Sequence, residues 1–239
     1  MKSWKKYLAE FLGTMILVVF ACGIAMFSHN KSNDAESFII IALGFGLTLM
    51  ACIYTIGDIS GCHINPAVSI AMLVDGRMGF VEFVGYIISQ FLGGIAGAAI
   101  LMGFAGGEKT AVLGANALNQ SLAVGDATVA VSPVLGLIVE IVLTCLFVYT
   151  VLCVSKKENF KGAGLVIGLA LAVVHMLGLP FTGTSVNPAR TFGPNLFSSM
   201  LTGKGTYISQ VWIFIVGPLV GGILAALIYR LLNKPLEEE

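Results

Sequence analysis

Six stretches of this chain are apolar over 20 residues or more, and polar connectors separate them. They fall at about 8–27, 37–56, 81–104, 132–154, 162–181 and 208–232. A helix rises 1.5 Å per residue, so about 20 residues cross a hydrocarbon core of about 30 Å. Each stretch therefore predicts a transmembrane helix. The connectors lie at 29–36, 106–126, 155–161 and 203–206. Two further apolar segments are too short to span, and each begins with Asn-Pro-Ala. Asn65-Pro66-Ala67 is soon followed by Asp75-Gly76-Arg77, and Asn187-Pro188-Ala189 by Gly193-Pro194. Asn is a favoured N-cap, because its side-chain oxygen takes a free N–H of the first turn. Pro suits the next position, where a missing N–H costs nothing. Each triplet thus predicts a helix that starts at the Asn and ends within the membrane, the second near Gly193-Pro194.

The chain repeats itself. Ala9-Glu10-Phe11-Leu12-Gly13-Thr14 is similar to Val139-Glu140-Ile141-Val142-Leu143-Thr144. Gly93-Gly94 corresponds to Gly221-Gly222, and the two Asn-Pro-Ala boxes sit at a similar offset. The repeats run over about 7–105 and 132–232 of a single transmembrane domain, 1–239. Each contains three spans, an odd number, so the second is inverted relative to the first. The short helices then enter from opposite faces and their N-termini meet near the midplane. Non-helical backbone at that depth is tolerated where it lines an aqueous path.

Composition narrows the class. The chain is 57% hydrophobic and 11% charged, and its mean hydropathy is +0.93. These values fit a polytopic membrane protein. Net charge is zero, which suggests no nucleic-acid partner. The five cysteines show no metal or redox spacing and read as small core residues. No phosphate loop or catalytic constellation appears, so neither an enzyme nor a cofactor is expected.

Lys2, Lys5, Lys6, Arg77, Lys156, Lys157, Lys161, Arg230 and Lys234 fall on one side of the membrane, and Lys31, Lys109 and Lys204 on the other. The positive-inside rule puts both termini in the cytoplasm. Glu237-Glu238-Glu239 reads as a frayed tail. Asn30-Lys31-Ser32 and Asn119-Gln120-Ser121 match the glycosylation pattern on the outer face.

The candidate chemistry is concentrated at the boxes. If each Asn oxygen caps its own helix, the Asn65 and Asn187 amides can donate into the path. Both helix tips add about half a positive charge there, a barrier to cations and protons. The exclusion of protons by half-helix dipoles in water channels is an established example of this effect. Arg190 stands where the first box has Val68. It opposes the dipole, and burial at membrane depth costs several kcal/mol. Its guanidinium is expected to face the path from the outer side. His175 would lie beside it. Glu10 and Glu140 occupy equivalent places as intramembrane acids that need donors, and the loop N–H groups before each box could supply them. A carboxylate as close to a helix end as Glu10 could instead snorkel to water.

The two boxes, Ser60 to Val68 and Thr184 to Arg190, together with Ala9 to Thr14, resemble the aquaporin (major intrinsic protein) family over nearly the whole chain. The resemblance implies an all-α membrane protein of six transmembrane helices plus two re-entrant half-helices. It implies a homotetramer in the cell membrane with one pore per subunit. The family's aromatic/arginine constriction maps onto Phe45, His175, Thr184 and Arg190. That set is similar to bacterial water-selective members, and it implies passive single-file water conduction that excludes protons and ions. Glu10, Glu140 and His63 would support the boxes. The glycerol-conducting branch, the alternative, has a small residue at His175 and an Asp where this chain has Thr191. Thr184 stands where some members have a mercury-sensitive cysteine, three residues before the second Asn, and Cys62 holds the equivalent place before Asn65. A secondary transporter and a structural protein with a vestigial pore fit the intact boxes less well.

Overall fold

A computed structural model describes residues 3–28, 35–156 and 161–233. The Asn30 sequon, the Glu237–Glu239 tail, and Lys2, Lys31, Lys157 and Lys234 lie outside these. Among the described residues six helices are long and apolar enough to cross a membrane. They are α1 (Ser3–Ser28), α2 (Ala35–Ser60), α4 (Phe80–Phe104), α5 (Pro133–Ser155), α6 (Ala163–Thr182) and α8 (Val211–Asn233). The half-helices are α3 (Pro66–Val74) and α7 (Pro188–Thr202). A single helical turn, Thr206–Ser209, leads into α8.

Packing follows the repeat. α1 lies against α2 and α4 as α5 lies against α6 and α8, and α2 meets α6 across the two halves. Each half-helix is gripped by the other half, α7 by α4 and α3 by α8. The paired glycines permit this. A Cβ at Gly93 would overlap Phe11 O of α1, and one at Gly221 would overlap Ile141 O of α5. A Cβ at Gly94 would overlap Ala189 O, and one at Gly222 Ala67 O. Backbone approach this close admits only glycine.

Two features depart from the sequence reading. α7 does not stop near Gly193-Pro194 but runs on to Thr202, where Gly203 closes it in the left-handed conformation, φ 67°. Proline disfavours a helical residue before it through clashes with that residue's N–H and its Cβ. Gly193 has no Cβ, and one there would overlap Gly94 O. The connector after α4 also holds a small antiparallel hairpin, β1 (Leu122–Val124) and β2 (Ala127–Val129), turned at Gly125 with φ 57°. All five thiols are free.

One end of the bundle gathers basic groups. Lys6 pairs with Glu82 at 2.6 Å. Arg77 pairs with Asp75 at 2.6 Å and donates to Ser155 Oγ and Leu152 O. Arg230 donates to Val74 O.

Candidate functional site

The boxes fold as their caps require. Asn65 Oδ1 accepts from Ala67 N–H at 2.8 Å. Asn187 Oδ1 accepts from Ala189 and Arg190 N–H, both at 3.1 Å. Pro66 and Pro188 occupy the first helical positions. The tips meet, and they interlock. Asn65 Nδ2 donates to Val186 O at 2.8 Å, and Asn187 Nδ2 donates to Ile64 O at 2.9 Å. The amides are therefore not wholly free for the path, as the sequence alone suggested. One hydrogen of each ties the opposite loop, and the second remains. Both asparagines line the central cavity.

The loops before the boxes carry an unusual backbone. Cys62, Ile64, Thr184 and Val186 all have positive φ, 39–50°. For β-branched Ile64, Thr184 and Val186 this is strained by about 1–3 kcal/mol each. Two buried carboxylates hold the strain. Glu10 accepts from His63 N–H at 2.9 Å, Ile64 N–H at 2.6 Å, Ser60 Oγ at 2.7 Å and Gln90 Nε2 at 2.8 Å. Glu140 accepts from Ser185 N–H at 2.9 Å, Val186 N–H at 2.8 Å and Thr182 Oγ1 at 2.7 Å. Both carboxylates are fully buried, so Glu10 does not snorkel to water.

Three spaces flank the boxes. A cavity of about 570 Å³ opens at the basic end, touching Tyr54, Asp58, Cys62 and His63. One of about 410 Å³ opens at the other end, touching Phe38, Gly114, Asn119 and Tyr207. Between them a cavity of about 20 Å³ is lined by Phe45, His175, Arg190, both box asparagines and apolar residues including Phe147 and Leu171. That volume holds about one water, since a water needs at least about 10–15 Å³. His63 joins the narrow space to the wider one. Its ring nitrogen Nδ1 lies 3.1 Å from Ser69 Oγ, and the ring packs edge-on to Tyr86.

The narrowest part is polar on one side. The His175 and Phe45 rings stack with centroids 4.2 Å apart, and the Arg190 guanidinium lies 4.7 Å from the Phe45 centroid. His175 Nδ1 is 2.8 Å from Leu171 O. A carbonyl only accepts, so Nδ1 carries a proton, and in the neutral ring Nε2 is then an acceptor. Arg190 Nη1 donates to Gly114 O at 2.9 Å and to Asn116 Oδ1 at 2.7 Å. His175 Nε2 and Arg190 Nε have no hydrogen-bond partner among the described residues. The constriction thus sets an acceptor and a donor at one level, matched to a molecule that can both donate and accept.

Thr184 does not line this cavity. Its Oγ1 donates back to His175 O at 3.5 Å, and the side chain packs on Gly178. The second sequon is also engaged, because Asn119 Nδ2 donates to Pro180 O at 2.7 Å.

Sequence reasoning passed over Asn116. It is fully buried, yet it lies in a connector read as polar. The available signal was the apolar run around it, Leu113-Gly114-Ala115-Asn116-Ala117-Leu118. Gln90 was also missed. It donates to both Glu10 and Ser69.

Comparisons with known proteins agree over the chain's length. A family model described as Major intrinsic protein matches residues 1–229. A protein named Aquaporin Z from Rhodopseudomonas palustris is 39% identical over 237 residues, 95% of this chain and 93% of the relative. Another Aquaporin Z, from Photorhabdus laumondii, is 37% identical over 234 residues, 95% of this chain and 97% of the relative. Among solved structures, the aquaglyceroporin from Plasmodium falciparum superposes with a TM-score of 0.84 at 24% identity, covering 98% of each chain. That likeness speaks for the fold alone.

Proposed function

The chain belongs to the major intrinsic protein family, and from that premise we propose that it is a passive water channel. It conducts water in single file down osmotic gradients and excludes protons and ions. The observation that carries this reading is the one-water constriction of Phe45, His175 and Arg190 between two wide vestibules. Water satisfies both His175 Nε2 and Arg190 Nε as it passes. A carbon-backboned solute such as glycerol is wider than the space and cannot replace both bonds along its length. The facing tips of α3 and α7, each about half a positive charge, reinforce the charge of Arg190 against cations and hopping protons.

The reading extends to the whole molecule. Residues 1–239 form a single channel domain of two inverted repeats, about 7–105 and 132–232. The basic end, with both termini, faces the cytoplasm in a cell (inner) membrane, and four copies assemble with one pore each. The protein is a transporter rather than an enzyme and uses no cofactor.

Stopped-flow light scattering on proteoliposomes tests this. Water permeability should rise well above that of empty vesicles, while glycerol permeability stays at the empty-vesicle level. Glycerol flux well above background would favour a facilitator of small neutral solutes through the same fold.

A further inference from the structure

Arg190 is aimed by a segment that belongs to neither box. Its Nη1 is bonded to Gly114 O and Asn116 Oδ1, both in the connector between α4 and α5. That segment is fixed in turn by one face of α7. Thr191 Oγ1 donates to Asn116 Oδ1 at 2.6 Å, Asn195 Oδ1 accepts from Asn116 N–H at 2.8 Å, and Ser198 Oγ accepts from Leu113 N–H at 3.0 Å. Positions 191, 195 and 198 are spaced i, i+4, i+7, so they share one helix face. Asn195 Nδ2 also donates to Asn116 O. Gly114 fits against α1 at its π-helical turn, Val18–Cys22, where a Cβ would crowd Cys22 O. Two of the three α7 residues, Asn195 and Ser198, lie beyond Pro194. The continuation of α7 past Gly193-Pro194 is what builds this clamp.

The seat is also neutral. The two atoms that accept from Arg190 Nη1 are an amide oxygen and a backbone carbonyl. No carboxylate bonds to Arg190 among the described residues, and both oxygens of Glu140 are occupied by Thr182, Ser185 and Val186. Resting on the channel reading above, we propose that Asn116 is the positioning residue of the constriction. Clamped by Thr191, Asn195 and Ser198, it fixes the direction of the Arg190 guanidinium. Being uncharged, it adds no negative charge against the guanidinium, whose positive charge stands as the barrier to cations. A carboxylate in the same place would still offer Arg190 an acceptor and would oppose its charge, while giving up the bond that Asn116 Nδ2 donates to Thr182 O at 3.3 Å.

The test uses full-length protein in proteoliposomes, with proton, glycerol and water permeability measured on the same vesicles. Asn116→Asp should raise the proton-to-water ratio at least about tenfold, the change that 1.36 kcal/mol off a barrier produces. Asn116→Ala adds no charge but frees the guanidinium. It should raise the glycerol-to-water ratio while its proton-to-water ratio rises less than that of Asn116→Asp. Thr191→Val, which removes a donor to Asn116, carries the same glycerol test should the Asn116 variants not insert. Wild-type vesicles that pass no more water than empty ones overturn the channel reading itself. Wild-type water flux with both ratios unmoved in the variants overturns only the seat.

Discussion

Three residues after Asn65 stands Val68, and three residues after Asn187 stands Arg190. Up to that point the two re-entrant segments are built alike. Each has a strained loop, a buried glutamate holding the loop's N–H groups, a capping Asn and a Pro at the first helical position. A hydroxyl precedes each loop and donates to the same glutamate, Ser60 to Glu10 and Thr182 to Glu140. Beyond it they diverge. In the first, Ser69 is met by Gln90 from α4 and by the His63 ring. In the second, the matching Thr191 is met by Asn116 and Ser185. A shared frame brings the tips together, and the differences in side chains assign discrimination to one half only. An arginine in the first turn of a helix opposes the dipole. The second half bears it because the connector wraps over that tip and supplies acceptors.

The largest effect should come from removing the shared frame. Glu10→Ala strands four donors and Glu140→Ala strands three. Unpaired buried donors cost about 1–3 kcal/mol each, so both variants should be severely destabilised. Thermal unfolding in detergent should show a similar loss for the two. A large loss in one and none in the other would break the parallel between the halves.

Next comes the difference between the tips. Arg190→Val combined with His175→Gly gives the second tip the residue of the first and widens the constriction. Glycerol permeability should then rise about tenfold or more, with added proton leak and with water conduction retained. Unchanged glycerol and proton flux in stopped-flow measurements would remove Phe45, His175 and Arg190 from the role of filter.

The smallest effect is expected at Thr184. Its 3.5 Å bond to His175 O is near the limit of a hydrogen bond and contributes less than about 1 kcal/mol. Thr184→Ala should leave osmotic permeability within about twofold of the wild type. A greater fall would mean that the hydroxyl steers the His175 backbone.

Much of this was legible in the sequence because it depends on near neighbours along the chain. Apolar runs fix the six spans whatever surrounds them, and Asn-Pro fixes a helix start through its own cap and ring. The match of Glu10 with Glu140, and of Gly93-Gly94 with Gly221-Gly222, carried the repeat. The single Arg190 broke it. What could not be read depends on contacts between distant residues. Pro194 reads as a stop, yet α7 continues through it with Gly193 packed on Gly94 O, as α6 continues through Pro180. The Asn amides look free until the opposite carbonyls, more than 120 residues away, arrive to bind one hydrogen of each. Thr184 is placed by spacing, and only the fold sets its hydroxyl against His175 O. Asn116 shows locally only as one polar residue in an apolar run, since its partners lie on other elements. By itself the sequence determined the spans, the two half-helices and the residues that could meet at their tips, because periodicity and capping act over a few residues. The tertiary structure alone decided which donors remain for the path and what aims the arginine. Those outcomes depend on acceptors brought in from remote parts of the chain.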